Sequence, residues 1–474
     1  MAALKIVKLT SALNAYLRPT PIRSAHQLAT ATYAQTLLNL PETKVTSLEN
    51  GFKIASEQND SPNCTVGLWI DAGSRFETPS TNGVANFFEH MAFRGTAKRS
   101  QKDLDNEIEN LGAEFNSYTG REETAFYARC LSSDVAKVVD ILADITQNSK
   151  LDEQQIEEEQ SVILKSLDEA ESDKKLVTMD YLHLTAYQGT PLAQSVLGPS
   201  ENIKKITKDD LAFYARNNFL APRMVLVGSG NINHDELVKL AEKHFSSVPY
   251  TYTTEIPVVK PCRYTGSEIR DRDDWMPFAH VAVAVDTCGH GSQDIYPLML
   301  AKTIVGKWDK SFASSEHTLN RLVQNIYKEK RCHSFESFHT TYRDGGLWGI
   351  YFVMDGMILD DFMFNLQNEW MRLCISVSET DLQVAKNMLR SNLLESLDGS
   401  TQTCADIGRQ VLHYGKRVPF AEVDEIIQSV TLRQFKDTCM KYIYDRCPAV
   451  AAVGPIEAMT DYARVRANMY WLRY

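Results

Sequence analysis

Glu89-His90 is the pair of residues in this sequence best placed to do chemistry. It lies in the run Asn86-Phe87-Phe88-Glu89-His90-Met91-Ala92-Phe93-Arg94-Gly95-Thr96. In the motif His-x-x-Glu-His, the two imidazoles sit at i and i+4. They share one helix face and grip a single Zn²⁺. The Glu just before the second His polarises the metal-bound water. Here the general base Glu89 and one ligand, His90, are in place, but Asn86 occupies the first ligand position. An amide oxygen is a poor zinc ligand beside imidazole. The segment reads as a metal-hydrolase helix that is one ligand short.

Such a helix must be started, stopped and backed. Thr81 or Asn82 is the expected N-cap and Gly95 the expected stop. Upstream, Lys44 to Glu57 reads as strand, turn at Asn50-Gly51, strand. Cys64 to Asp71 alternates Val66, Leu68 and Ile70 against Thr65 and Gly67, which is a strand pattern. Downstream, Gln101 to Leu111 carries Leu104, Ile108 and Leu111 at helical spacing. Glu114 to Leu131 reads as a strand pair turning at Thr119-Gly120-Arg121. Helices are expected over Ser133–Asn148, Asp152–Glu171, Lys174–Tyr187 and Lys208–Asn217, and a buried strand over Met224–Val227. The mixture makes the fold class α+β.

The second half echoes the first. Pro222-Arg-Met-Val-Leu-Val-Gly228 is matched by Pro448-Ala-Val-Ala-Ala-Val-Gly454, 226 residues later. Each proline follows a predicted helix, Lys208–Asn217 or Leu432–Tyr444. Thr65 to Gly73 is likewise matched by Val281 to Gly289. Two matches in the same order imply a duplicated domain of about 210–220 residues. The linker is expected near Pro249 to Arg263. The Glu89-His90 motif has no counterpart in the second half, so any chemistry belongs to the first.

Composition narrows the class. At 474 residues the chain is too long for one core. Its 43% apolar and 23% charged content fits a soluble globular protein. A net charge of −11 argues against nucleic acid as a partner. No run of 18 apolar residues is present, so no spanning segment is expected. Nine scattered Cys with no C-x-x-C pair argue against structural zinc and a disulfide framework. Residues 1–41 contain no Asp or Glu but carry Lys5, Lys8, Arg18 and Arg23 beside Leu4, Ile6, Leu9 and Leu13. An acid-free, basic, amphipathic start reads as a mitochondrial transit peptide. The expected organisation is therefore a leader over 1–31, an N-terminal domain over 32–255 and a C-terminal domain over 256–474.

Several stretches together resemble the mitochondrial processing peptidase family, the M16 inverted zincins. They are Trp69-Ile70-Asp71-Ala72-Gly73-Ser74-Arg75, the Phe88–Thr96 helix and Gly112-Ala113-Glu114-Phe115-Asn116-Ser117-Tyr118. Gly189-Thr190-Pro191-Leu192, Leu197-Gly198-Pro199 and the final Trp471-Leu472-Arg473-Tyr474 complete the set. The likeness covers nearly the whole chain after the leader. It is closest in character to the β-type branch, which holds processing-peptidase β subunits and core protein 1 of the cytochrome b-c1 complex (respiratory complex III, ubiquinol–cytochrome c reductase). The resemblance implies two homologous metallopeptidase-like (LuxS/MPP-like) domains forming a clam-shell. It also implies a third zinc ligand, the second of two Glu seven residues apart on a later helix. Here Glu159 keeps the first position, and Ser166 stands where the ligand should be. Asp168 points about 200° away from Ser166, and Glu169 lies about 4.5 Å further along the axis. Neither replaces it.

Of the ligand positions Asn86, His90 and Ser166, only His90 is a good donor. No bound metal and no cofactor are therefore expected, and Glu89 is read as a relic general base. By the resemblance, the expectation is a non-catalytic structural subunit on the matrix side of the mitochondrial inner membrane. Its implied partners are a core protein 2-like α-type chain and the cytochrome b, cytochrome c1 and iron–sulfur subunits. The alternative is a zinc endopeptidase β subunit that cleaves presequences. Glu114 to Tyr127 reads either as a peptide-accepting edge or as a core hairpin. Glu157-Glu158-Glu159 reads as a solvated acidic turn, and Arg343-Asp344-Gly345-Gly346-Leu347-Trp348 as a hairpin turn. Met363, Leu366 and Trp370 read as core. The segment Lys307 to Thr318 lacks the glycine-rich loop of α-type subunits.

Overall fold

The computed structural model describes residues 41–252, 260–311, 318, 320–329 and 332–471. The expected leader, the expected boundary at 255/256 and the terminal Leu472-Arg473-Tyr474 lie outside the described residues.

The first half opens with β1 (Thr43–Ser47), β2 (Lys53–Gln58) and β3 (Asn63–Ile70). It continues through α1 (Val84–Ala92), α2 (Gln101–Leu111), β4 (Glu114–Thr119), β5 (Thr124–Leu131) and α3 (Val135–Gln147). The helices α4 (Glu153–Ser172), α5 (Lys174–Ala186) and α6 (Lys208–Asn218) precede β6 (Met224–Gly230) and α7 (His234–Phe245). The strands form one sheet in the order β1-β2-β6-β3-β5-β4, with β2 parallel to β6 and the other pairs antiparallel. Cys64, Val66, Leu68 and Ile70 face the core under α3 and α7, as strand alternation requires.

The second half repeats the plan. It contains β7 (Glu268–Arg272), β8 (Ala279–Thr287), α8 (Ile295–Val305), β9 (Lys307–Asp309), α9 (Arg321–Glu329), β10 (Cys332–Thr341) and β11 (Gly346–Met354). Then come α10 (Leu359–Ile375), α11 (Glu379–Ser396), α12 (Ser400–Tyr414), α13 (Phe420–Ser429), α14 (Leu432–Tyr442), β12 (Ala449–Gly454) and α15 (Tyr462–Ala467). Its sheet order is β7-β12-β8-β11-β10-β9, with β7 parallel to β12. The matched segments Pro222–Gly228 and Pro448–Gly454 lie in β6 and β12. Each sits between a parallel and an antiparallel neighbour, so the sequence repeat is a repeat of the fold. Met363, Leu366 and Trp370 are buried in the second core.

Each sheet is finished by a helix from the other half. α5 lies across β8 and β12, where Leu182 and Ala186 meet Ala282, Ala284, Ala449 and Ala451. α12 lies across β3 and β6, where Cys404, Ile407 and Val411 meet Trp69, Val225 and Val227. Small residues permit the close approach. A Cβ on Gly408 would lie 2.3 Å from Trp69 Cδ2. Gly408→Val gains at most about 0.5 kcal/mol in helix propensity, against about 3 kcal/mol for overpacking. It should lower stability by urea titration, and an unchanged midpoint would refute this contact.

Burial at the junction of the halves holds three imidazoles neutral. Nδ1 of His183 faces the Met179 carbonyl at 2.7 Å, so Nε2 accepts from the Tyr342 hydroxyl, also at 2.7 Å. Burial pushes His183 well below the usual histidine range. Burial also lowers His290 to about 4, helped by the neighbouring His413. His339 is lowered to about 4 by burial and by Lys302. The unfolded chain takes up these protons near pH 6.5, the folded chain only near 4 or below. The contribution of these imidazoles to stability is thus complete above pH 6.5 and is lost toward pH 4. Replacing His290 and His339 together by Gln should flatten that fall in melting temperature, and an unaltered slope would exclude them as its cause.

Three local expectations are corrected. α1 is capped neither by Thr81 nor by the Asn82 side chain; Gly83 is the N-cap, at φ +104°. The buried Glu77 carboxylate does the capping, accepting from Gly83 N at 2.9 Å and Ala85 N at 2.6 Å. Burial raises its pKa to about 7 against the pull of these donors. A cap supplied from seven residues upstream leaves no Ser/Thr/Asp/Asn signal at the helix start. Second, α1 ends at Ala92, before Gly95. Third, Glu157-Glu158-Glu159 is not wholly solvated: in α4 Glu157 and Glu158 are exposed, but Glu159 is 2% exposed because its carboxylate has partners on α1 and just beyond it.

Candidate functional site

α1 presents its apolar residues Val84, Ala85, Phe87, Phe88 and Met91 to the core. That leaves Glu89 and His90 half-buried at the surface of a pocket of about 300 Å³. α4 packs beside α1, β4 borders it, and α2 closes the rim with Gln101 and Asp105. The order of the sheet puts β4 at its edge. The strand therefore keeps unpaired backbone groups next to the pocket. The hairpin Glu114–Leu131 is thus an edge element as well as a wall.

The polar network is short. His90 Nδ1 lies 3.0 Å from Glu159 Oε1. Arg94 Nη2 lies 2.5 Å from Glu159 Oε2. Both carboxylate oxygens are therefore engaged. The Ser117 hydroxyl donates to Glu89 Oε1 at 2.8 Å. Asn86 sits one turn before His90 and is 7% exposed. Ser166 lies two turns beyond Glu159 on α4 and is half-buried. Glu89, His90 and Glu159 thus meet in one pocket, while Asn86 and Ser166 do not line it.

Two contributors carry no role in the sequence reading. Arg94 lies two residues beyond the end of α1, and its spacing of four from His90 in the expected helix would have pointed to it. Ser117 is brought in by strand register alone, for which no local signal exists.

Two sequence patterns match this chain. The one described as Insulinase (Peptidase family M16) matches residues 53–200. The one described as Peptidase M16 inactive domain matches residues 205–389. The chain belongs to peptidase family M16. Among M16 relatives, it is 51% identical over 444 residues to the β subunit of the bovine mitochondrial-processing peptidase, covering 94% of this chain and 91% of that one. It is 47% identical over 463 residues to human cytochrome b-c1 complex subunit 1, covering 98% and 96%. Its fold matches a chain in complex III2 from Candida albicans, solved with Inz-5 bound. The TM-score there is 0.82 at 26% identity, covering 90% of this chain and 100% of that one.

M16 peptidase chemistry calls for zinc, and the donors of this M16 chain do not fit it. His90 offers one ligand atom, Nε2, since Nδ1 is held by Glu159, whose two oxygens are engaged by His90 and Arg94. The other two ligand positions offer a neutral amide and a neutral hydroxyl. Among the described residues no group of three or more His, Cys, Asp or Glu is arranged to hold a metal ion. What remains is a carboxylate-buttressed imidazole beside a hydroxyl-buttressed carboxylate. That arrangement can bind through hydrogen bonds and charge.

Proposed function

We propose that this M16 chain is a non-catalytic core subunit of mitochondrial ubiquinol–cytochrome c reductase, acting in the assembly and stability of complex III. The observation that carries the reading is the ligand set: beside His90, the other two zinc-donor positions hold Asn86 and Ser166. Support comes from the near-complete coverage of cytochrome b-c1 complex subunit 1 and from the fold match to a complex III chain. Both curated relatives are mitochondrial by name, which favours that compartment. We place the chain on the matrix side of the inner membrane, beside a core protein 2-like α-type chain. No helix among the described residues is long and apolar enough to cross a membrane. Attachment is therefore assigned to cytochrome b, cytochrome c1 and the iron–sulfur subunit.

The second reading is a processing-peptidase β subunit. It is favoured by the 51% identity to the bovine β subunit and by the retained Glu89, held by Ser117. One experiment separates the two. The full chain is purified from mitochondria, assayed for zinc and haem, then mixed with an α-type partner and a presequence peptide. The structural reading expects co-purifying b and c1 haem with no Glu89-dependent cleavage. Near one zinc per chain, with cleavage abolished by Glu89→Gln, would overturn it.

A further inference from the structure

One end of the second sheet exposes apolar side chains that the fold does not use. Trp275 is 96% exposed and Met357 81% exposed. An indole left almost wholly in water gains nothing for the isolated chain. The two residues belong to one surface. Trp275 lies in the turn leading into β8, and Met357 lies in the turn leaving β11. Their strands pair Ala279 with Met354 at that same end. Between the two turns runs Gly454-Pro455. Asp273 N donates to Gly454 O at 3.0 Å. A Cβ on Gly454 would lie 3.5 Å from Met276 Cε, and one on Gly356 would strike Pro455 O. Phe278, whose ring lies 3.8 Å from that of His333, supports the turn from below. The turns are thus anchored on three strands.

The surroundings are acidic. Asp273, Asp274, Asp355 and Glu457 stand on these turns and on the segment after β12. These turns and residues 455–461 carry no Lys or Arg, and Arg272, at the end of β7, is ion-paired to both Asp274 and Glu457. Residual negative charge therefore encircles an apolar tip. An anionic lipid surface would be repelled by it. So would the same face of a second copy of this chain, whose net charge is −11. What complements it is a basic protein surface with an apolar recess. In protein interfaces, Trp and Met are enriched at the buried centre and charge at the rim.

We propose that the Trp275–Met357 end of the second sheet is a docking surface for a basic partner subunit, with the indole as its buried anchor. The surface lies on the half without the Glu89-His90 motif and does not depend on whether that site ever cut peptides.

The test uses the full chain in mitochondria. Hydroxyl-radical oxidation of Trp275 and Met357 is read by peptide mass spectrometry in each native-gel band that contains the chain. In the assembled band both residues should oxidise at least about fivefold more slowly than in the purified chain, as expected for a water-excluded interface centre. Haem in that band reports on the complex III reading separately. Equal oxidation in every band overturns the docking surface, whatever the haem content. So does a chain that runs only as a monomer, or protection in a band holding only copies of this chain. As a second arm, Trp275→Glu with Met357→Glu should cut the assembled fraction several-fold. It should leave the melting temperature of the purified chain unchanged, since neither side chain is packed. Asp273→Lys with Asp274→Lys should also reduce assembly, more so at low salt. Assembly of both variants at the parent level overturns the proposal.

Discussion

The Asn86→His/Ser166→Glu double variant is expected to bind zinc about 10³-fold more tightly than the parent chain. The groundwork is present. Glu159 accepts from His90 Nδ1, the outer-sphere arrangement that fixes the imidazole and leaves Nε2 for a metal. The double change supplies a second imidazole at i−4 on α1 and a carboxylate on α4, two turns from Glu159. Either change alone leaves two ligands and should gain much less, because ligands to one ion are not additive. Adding Glu159→Gln to the double variant should lose about 10–100-fold. Competition against a chromophoric chelator at pH 7.5 measures all five proteins. A double variant no better than the parent would show that residues 86 and 166 do not face one ion.

Arg75→Ala is expected to destabilise the chain by about 3–5 kcal/mol, the range for breaking a buried ion pair from one side. Arg75 is almost fully buried between the halves. It forks onto Asp344 at 2.8 and 2.7 Å and also pairs with buried Glu122. Asp344 belongs to the β10–β11 turn, and Glu122 to the turn joining β4 and β5. The backbone of Arg343 donates to Glu122 as well, at 3.0 Å. Without Arg75, Glu122 is a buried anion with little compensation. Burial already raises its pKa, and Arg75 is the main group pulling it down. Removing Arg75 should raise it further, so the deficit grows as pH rises from the parent's already raised Glu122 pKa through the new one. Urea titrations at pH 5 and pH 8 should show the larger loss at pH 8. An equal loss at both would remove Glu122 from the explanation.

Much of the architecture is legible in residue order because it is local. The strands about Val66 and Val283 alternate, the helix at Leu104 keeps its period, and β6 and β12 announce the duplication by a shared Pro…Gly frame. The three ligand positions are legible too, since helical spacing fixes which residues share a face. What escapes has long sequence separation or is supplied from the side. Glu77 caps α1 from outside the capping positions. Glu159 looks like one of three surface acids until its partners His90 and Arg94 are seen. Arg343-Asp344 reads as a plain hairpin turn, yet it is the clasp that Arg75 holds, some 270 residues upstream. The swap of α5 and α12 is also silent, because a helix with one apolar face does not say which sheet it covers.

That swap has a consequence for biosynthesis. The strands of the first sheet are complete once β6 has been made, yet the face bearing Trp69 stays bare until α12 arrives about 180 residues later. Whenever the first half folds ahead of the second, that face is uncovered. The first half on its own is thus a sticky intermediate. Its safe passage falls to chaperones rather than to its own core, and mutations confined to α12 should first show as lost yield.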